Sequence, residues 1–396
     1  MENNSVYVAG DNVITSLGFT TDETIRKIKN NNIGFKVCND RSLTPAPIPL
    51  SLVDSYQLDE LFQRTVEIFR PDNRNTRYTR MEKFFILSIF DATNELPAEI
   101  FGTKTQLIIS TTKGNIDLLE EEKKVLYESE RIYLWRLAEV IRQFFNFENR
   151  PLIVSNACIS GILALSIASR MIQSGRCENA VVSGGDIISE FVVSGFTSFQ
   201  ALSQEACKPF DISRNGLSLG EGCGTMVLTS STQRFSATNI RIAGSASSND
   251  ANHISGPSRT GEELAMAIQK TMHEAAFEPT EINYISAHGT ATLYNDEMES
   301  KALVLAGLQN VPVNSLKGYF GHTLGGAGLI ESVITMRSAL DNMLFRSAGF
   351  SVLGVPENIN VIQQHTPATV DNCLKIASGF GGCNAAIIFH KEKSTH

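Results

Sequence analysis

Along the first half of the chain, apolar residues gather into short runs that end in small or polar residues: QLIIST (106–111), PLIVSN (151–156) and NAVVSGG (179–185). Such runs predict strands buried in a helix-covered sheet, whose polar carboxyl ends meet an active site. Between the last two, CISGILALSIASRMIQSG changes period. Ile162, Leu165, Ile167 and Met171 predict a largely buried helix closed by Gly175, giving a unit of strand, tight turn, helix and strand.

The second half repeats this style. IRIAGSA (240–246), INYISAHG (282–289), NVPVNS (310–315) and AAIIFHK (385–391) predict strands, and 261–276, 295–307 and 325–341 predict helices. The polar stretch TSSTQRFSAT (229–238) marks a boundary between halves 1–234 and 235–396, although no residue identity between them demonstrates a duplication.

Composition narrows the function classes. With 396 residues, 42% hydrophobic, 19% charged and 29 glycines, the chain suits a soluble globular enzyme with a substantial core. A net charge of −8 argues against a general nucleic-acid binder. No apolar run approaches the roughly 20 residues that span a bilayer. The start, MENNSVYVAGDNVITSLG, lacks a basic region followed by a signal-like apolar core, so a cytoplasmic protein is expected. Seven cysteines (38, 158, 177, 207, 223, 373, 383) form no C-x-x-C pair. They read as free thiols, with neither a disulfide framework nor a zinc site, and no metal is expected.

One of them stands apart. Cys158, in SNACISG, falls at the first turn of the predicted helix, where unpaired backbone N–H groups and the helix dipole favour an anion. The expectation is a lowered thiol pKa and a thiolate near neutral pH. A nucleophilic thiol needs imidazole companions. Of the seven histidines (253, 273, 288, 322, 365, 390, 396), His288 in SAHGTAT and His322 in YFGHTLGGAG share the context of a strand-to-helix turn lined with small residues. His273, His365, His390 and His396 read as solvated or structural.

SNACISG, the GGD of 184–186, KPFDISRNGLSLGEG from Lys208 to Gly222, NDANHISGP (249–257), AHGTATLYND (287–296), LKGYFGHTLGGAG (316–328) and GFGGCN (379–384) follow one another in a fixed order. This series, running from Val6 to about Phe389, resembles that of the β-ketoacyl-acyl carrier protein synthases, the elongating condensing enzymes of the thiolase superfamily. The resemblance implies an α/β fold, a thiolase-like duplicated five-layer α/β/α/β/α arrangement with two mixed sheets, one from each half. It implies a homodimer, or a heterodimer with a related ketosynthase-like subunit. Cys158 matches the acyl-accepting nucleophile, His288 and His322 the pair of the Cys-His-His class, and Lys317 and Glu331 that family's supporting residues. Thr290 and Thr292 match positions that hold a phosphopantetheine arm. Phe380 matches the gate of the glycine-rich loop, its N–H joining that of Cys158 as oxyanion donors, and Phe196 matches a substrate-binding position. The basic stretch RPDNRNTRYTRMEK (70–83), with Arg74, Arg77 and Arg80, matches a docking site for acyl carrier protein.

The implied reaction is an acyl transfer. Malonyl-carrier protein undergoes decarboxylative Claisen condensation with an acyl group held on the cysteine, in fatty-acid or polyene/polyketide elongation. Phosphopantetheine arrives on the carrier protein, so no resident cofactor is expected. The chain departs from the family pattern at Lys113 in STTKGN (110–115), which falls on a turn that lines the acyl tunnel and is expected to bind substrate, with Asp186 and Glu190 as conceivable partners. It departs again at Cys383, where threonine is usual, and in RSAGFSVLGVPENIN (346–360). A thiolase would use a second cysteine and an asparagine-containing motif, and initiating synthases a Cys-His-Asn set. A non-catalytic chain-length-factor subunit would lack the nucleophile.

Overall fold

The computed structural model describes residues 5–235, 237–250 and 258–393. Ten strands form its main sheet: β1 (Tyr7–Ile14), β2 (Thr105–Ser110), β3 (Leu152–Val154), β4 (Asn179–Asp186), β5 (Gly222–Thr229), β6 (Ile240–Asn249), β7 (Tyr284–Ser286), β8 (Val313–Asn314), β9 (Asn372–Gly379) and β10 (Cys383–Lys391). They lie in the order β8-β7-β9-β10-β6-β1-β5-β4-β2-β3.

This order is a duplication. Numbered within its own half, each set of five strands reads 1-5-4-2-3 from the middle outward. In both halves the two inner pairings are antiparallel and the two outer ones parallel. A single residue pair, Tyr7 opposite Arg241, joins the two five-stranded sheets. The fold is therefore α/β with two mixed sheets that touch at one edge.

Helices complete the layers. Facing one side of the first sheet are α1 (Ser55–Phe69), α2 (Arg80–Thr93) and α3 (Leu134–Phe145). Outside the second sheet lie α6 (Glu262–Ala275) and α7 (Leu293–Leu305). Between the sheets run α4 (Ser160–Gln173) and α9 (Ala327–Asp341), whose residues share one core cluster with strands of both sheets. Of the two, α9 is buried nearly all round, even at Glu331 and Ser332. The short helices α5 (Glu190–Ser198) and α8 (Lys317–Phe320) flank the site.

The two central helices meet at glycines. A Cβ on Gly161 would lie 2.4 Å from the Leu329 amide nitrogen, and one on Gly328 would lie 2.9 Å from that of Ile162. Only hydrogen at these positions permits the approach, which brings the start of each helix to the same point.

Two expectations change. Ile167 faces solvent, the buried face of α4 being Ile162, Leu165, Ala168 and Ile172, because the helix is covered along a stripe of spacing three to four. Gly175 does close that helix, at φ 72°, with Arg176 N–H donating to Met171 O and Gly175 N–H to Ile172 O. Cys158 precedes the helix instead of lying in its first turn, since α4 begins at Ser160. Among the described residues no helix is long and apolar enough to cross a membrane.

Candidate active site

The duplication places equivalent turns together. In each half the third strand leads into the central helix, through a tight turn in the first half and through the short helix α8 and a further turn in the second. Cys158 occupies that turn in the first half and His322 in the second, so the contact between α4 and α9 brings them face to face. His322 Nε2 stands 3.0 Å from Cys158 Sγ. His288, just past the end of β7, lies with its ring centroid 5.1 Å from that of His322, the planes at 85°. Sγ and one nitrogen of each ring all lie within 4.8 Å of one another, close enough to bracket one small reacting group.

All three side chains are buried, and burial governs their protonation. It pushes the Cys158 thiol up to about 12, helped by the neighbouring Cys383, while Lys317 and Lys113 pull it back less strongly. The expectation of a thiolate near neutral pH is corrected: desolvation outweighs the dipole of a helix that starts two residues later. Burial, then Lys317, His322 and Lys375, hold His288 well below the usual imidazole range. Burial, then Lys317, Lys113 and Lys375, do the same to His322. Both rings are neutral at working pH.

A buried charged cluster stands behind the histidines. Lys317 Nζ donates to His288 O at 2.7 Å and to Glu331 Oε1 at 2.6 Å, and lies 3.4 Å from His288 Nδ1. An ammonium facing Nδ1 makes that nitrogen the acceptor, which leaves Nε2–H as a donor into the cavity and not as a metal ligand. The turn is fixed from the other side by carboxylates of α7. Glu299 accepts the His288 and Gly289 N–H groups, both at 2.6 Å, and Asp296 accepts those of Thr290 at 3.0 Å and Ala291 at 3.2 Å.

A cavity of about 310 Å³ opens onto this group, lined among others by Thr290, Thr292, Phe196 and Phe380. Thr290 and Thr292 join hydroxyls at 2.8 Å. The Phe380 ring stacks on Phe196 at 5.8 Å and meets Phe199 edge-on at 5.2 Å. Gly379 packs directly on the nucleophile turn, where an added Cβ would sit 3.0 Å from the Cys158 amide nitrogen.

Other residues fall differently. Lys113 is half-buried, lies outside the residues lining this cavity, and donates to Thr112 Oγ1 at 2.8 Å. It has no ion pair with Asp186 or Glu190. The Asp186 carboxylate is taken up by the Thr111 and Thr112 hydroxyls at 2.7 and 2.8 Å and by the Gly325 N–H at 2.7 Å, tying the end of β2 to the His322 turn. Arg80 is committed to Glu221 and Val53 O, whereas Arg74 and Arg77 are exposed. In NDANHISGP, residues 251–257 lie outside the described residues, as does His396. Sequence reasoning missed Lys375, Asp296 and Glu299. For the last two the signal was an acidic pair spaced i, i+3 directly after HGTAT, which puts both carboxylates on the helix face toward that turn.

Two family models match: "Beta-ketoacyl synthase, N-terminal domain" over residues 90–234 and "Beta-ketoacyl synthase, C-terminal domain" over 240–351. Together they span more than half of the chain, and the chain belongs to the beta-ketoacyl synthase family. It is 33% identical over 254 residues to 3-oxoacyl-[acyl-carrier-protein] synthase 2 of Vibrio harveyi, covering 60% of this chain and 61% of the relative. It is 29% identical over 266 residues to a putative polyketide beta-ketoacyl synthase 1 of Streptomyces cyaneus, covering 64% and 63%. The chain thus spans about three fifths of the length of the curated relatives it matches. In fold it is similar to a ketosynthase from Xenorhabdus doucetiae solved in complex with its chain length factor, at TM-score 0.84, 22% identity and 98% coverage of both chains.

Proposed function

We propose that the protein is a 3-oxoacyl-[acyl-carrier-protein] synthase. It transfers an acyl group to Cys158 and condenses it with malonyl-carrier protein, releasing carbon dioxide. The observation that carries the reading is the 3.0 Å contact of His322 Nε2 with Cys158 Sγ, with a second neutral histidine in the same pocket.

The chemistry follows from the protonation states. A thiol that is neutral in the free enzyme loses its proton only as its sulfur bonds to the acyl carbonyl carbon. His322 Nε2 is placed to take that proton and to return it to the departing pantetheine sulfur. Backbone N–H groups of Cys158 and Phe380 receive the developing oxyanion, each such donor being worth about 3 kcal/mol. When malonyl-carrier protein then loses carbon dioxide, charge collects on its thioester oxygen as an enolate. Neutral His288 donates Nε2–H to it, and the adjacent ammoniums favour the added negative charge. The enolate carbon attacks the acyl-Cys158 carbonyl, breaking the C–S bond, and the departing sulfur takes up from solvent the one proton the condensation consumes, restoring the thiol.

Thr290 and Thr292 line the route for the pantetheine arm, and no resident cofactor is required. The reading places the enzyme in the cytoplasm, as a homodimer or beside a related subunit, in fatty-acid or polyene/polyketide elongation. A chain-length-factor role is disfavoured by the intact Cys158, His288 and His322 set. Mass spectrometry of carrier-bound products, after incubation with malonyl-carrier protein and acyl-carrier primers of several lengths, tests the function. The expected result is acylated Cys158 and a 3-oxo product two carbons longer. Absence of both with every primer would overturn the reading.

Arg74 and Arg77 are proposed to meet the acidic carrier protein. Reversing both charges is expected to raise KM for carrier-bound substrate in a salt-sensitive way, with little change for a pantetheine thioester. Equal losses on both substrates would count against docking there.

A further inference from the structure

Lys375 lies in the middle of β9 with no exposed surface. Its Nζ contacts Ala287 O at 2.9 Å and Ser286 O at 3.2 Å, the two carbonyls directly before His288. It also lies 2.6 Å from Glu331 Oε2, off the line of a good hydrogen bond, while Lys317 holds the other oxygen of the same carboxylate. One carboxylate thus receives two buried ammoniums from two elements. One of them contacts His288, and the other grips the backbone that carries it.

We infer that Lys375 is a positioning residue for the decarboxylation half-reaction, fixing the His288 turn to α9 and adding the second positive charge behind the two imidazoles; this rests on the condensing reaction proposed above. Burying an ammonium against three oxygens is costly unless each is satisfied, and here the carbonyls of the His288 strand supply two of them. Removing the ammonium frees both carbonyls and leaves Glu331 to Lys317 alone. The two halves of the reaction should then part company. Acylation needs Sγ, His322 Nε2 and the oxyanion donors, whereas enolate formation needs His288 in register.

Charge acts in the same direction. The charged and titratable groups facing the histidines are Lys317 from α8, Glu331 from α9, Asp296 and Glu299 from α7, Lys375 from β9, Asp186 and Lys113 from the strand ends of the first half, and the Cys158 thiol. Burial lowers Lys375, and Glu331 opposes that shift. Lys375 is among the groups that depress both imidazoles. Losing it lets the rings protonate at higher pH, so activity is lost earlier as pH falls.

The test compares wild type with Lys375→Met, and with Lys375→Gln should the methionine variant fail to fold. Malonyl-carrier decarboxylation is expected to fall about tenfold in kcat with KM little changed, while the rate of Cys158 acylation stays within about twofold. The acid limb should move to higher pH. Ammonium or methylammonium chloride, but not tetramethylammonium chloride, should restore part of the lost rate. Equal losses in both half-reactions, an unmoved acid limb and no rescue would overturn the inference. Wild-type turnover separates this from failure of the functional reading. If the wild type neither acylates nor decarboxylates, nitrogen-15 NMR titration of His288 and His322 still decides, since unchanged ring protonation in the variant would sink the proposal.

Discussion

Replacing Cys158 by alanine is expected to lower condensation by about four orders of magnitude or more, as removal of a covalent nucleophile does elsewhere, while malonyl decarboxylation persists. The two outcomes separate because the substitution deletes only Sγ. Both imidazoles keep their supports: His288 through Lys317 and Glu299, and His322 through the turn that Asp186 anchors at Gly325. The missing sulfur also vacates space beside His322 Nε2, where malonyl can settle without a competing acyl group. Product analysis with paired malonyl and acyl carriers, alongside carbon dioxide release from malonyl-carrier alone, measures the two rates. A variant that still elongates primers would remove Cys158 from the mechanism.

Changing Glu331 to glutamine is expected to destabilise the fold by about 3–5 kcal/mol, the range for breaking a buried ion pair by removing one partner. The residue is nearly isosteric, so packing is preserved and the effect isolates charge. Two ammoniums, both fully buried, would then face each other without the carboxylate between them. They have carbonyl acceptors at His288, Ser286 and Ala287 but no other counter-charge in direct contact. Denaturant unfolding of wild type and variant gives the difference. A loss below about 1 kcal/mol would mean that the ammoniums shed their protons or find other anions.

How far the sequence reaches depends on what each residue must satisfy. Apolar runs such as QLIIST and AAIIFHK declare strands because both faces are covered. NCLKIASG hides β9, since Lys375 interrupts its apolar pattern, and that lysine is tolerated only through Glu331 on a distant helix. GCGTMVLT hides β5 behind glycine and cysteine, and the helices between residues 55 and 145 went unread. Cys158, His288 and His322 were legible from their small-residue turns. The protonation of Cys158 was not, because burial is set by residues that the helix start alone does not reveal. The duplication is likewise invisible in residue identity and plain in strand order.

The contact between His322 and Cys158 closes a chain separation of 164 residues. Contacts of that span come late in folding, after each half has collapsed on its own strands. Until α9 docks beside α4, the thiol that burial later protects has no cover. A nascent chain therefore passes through a stage in which its most consequential sulfur is open to peroxide or stray disulfides, and burial of Cys158 beneath α9 is what ends that exposure.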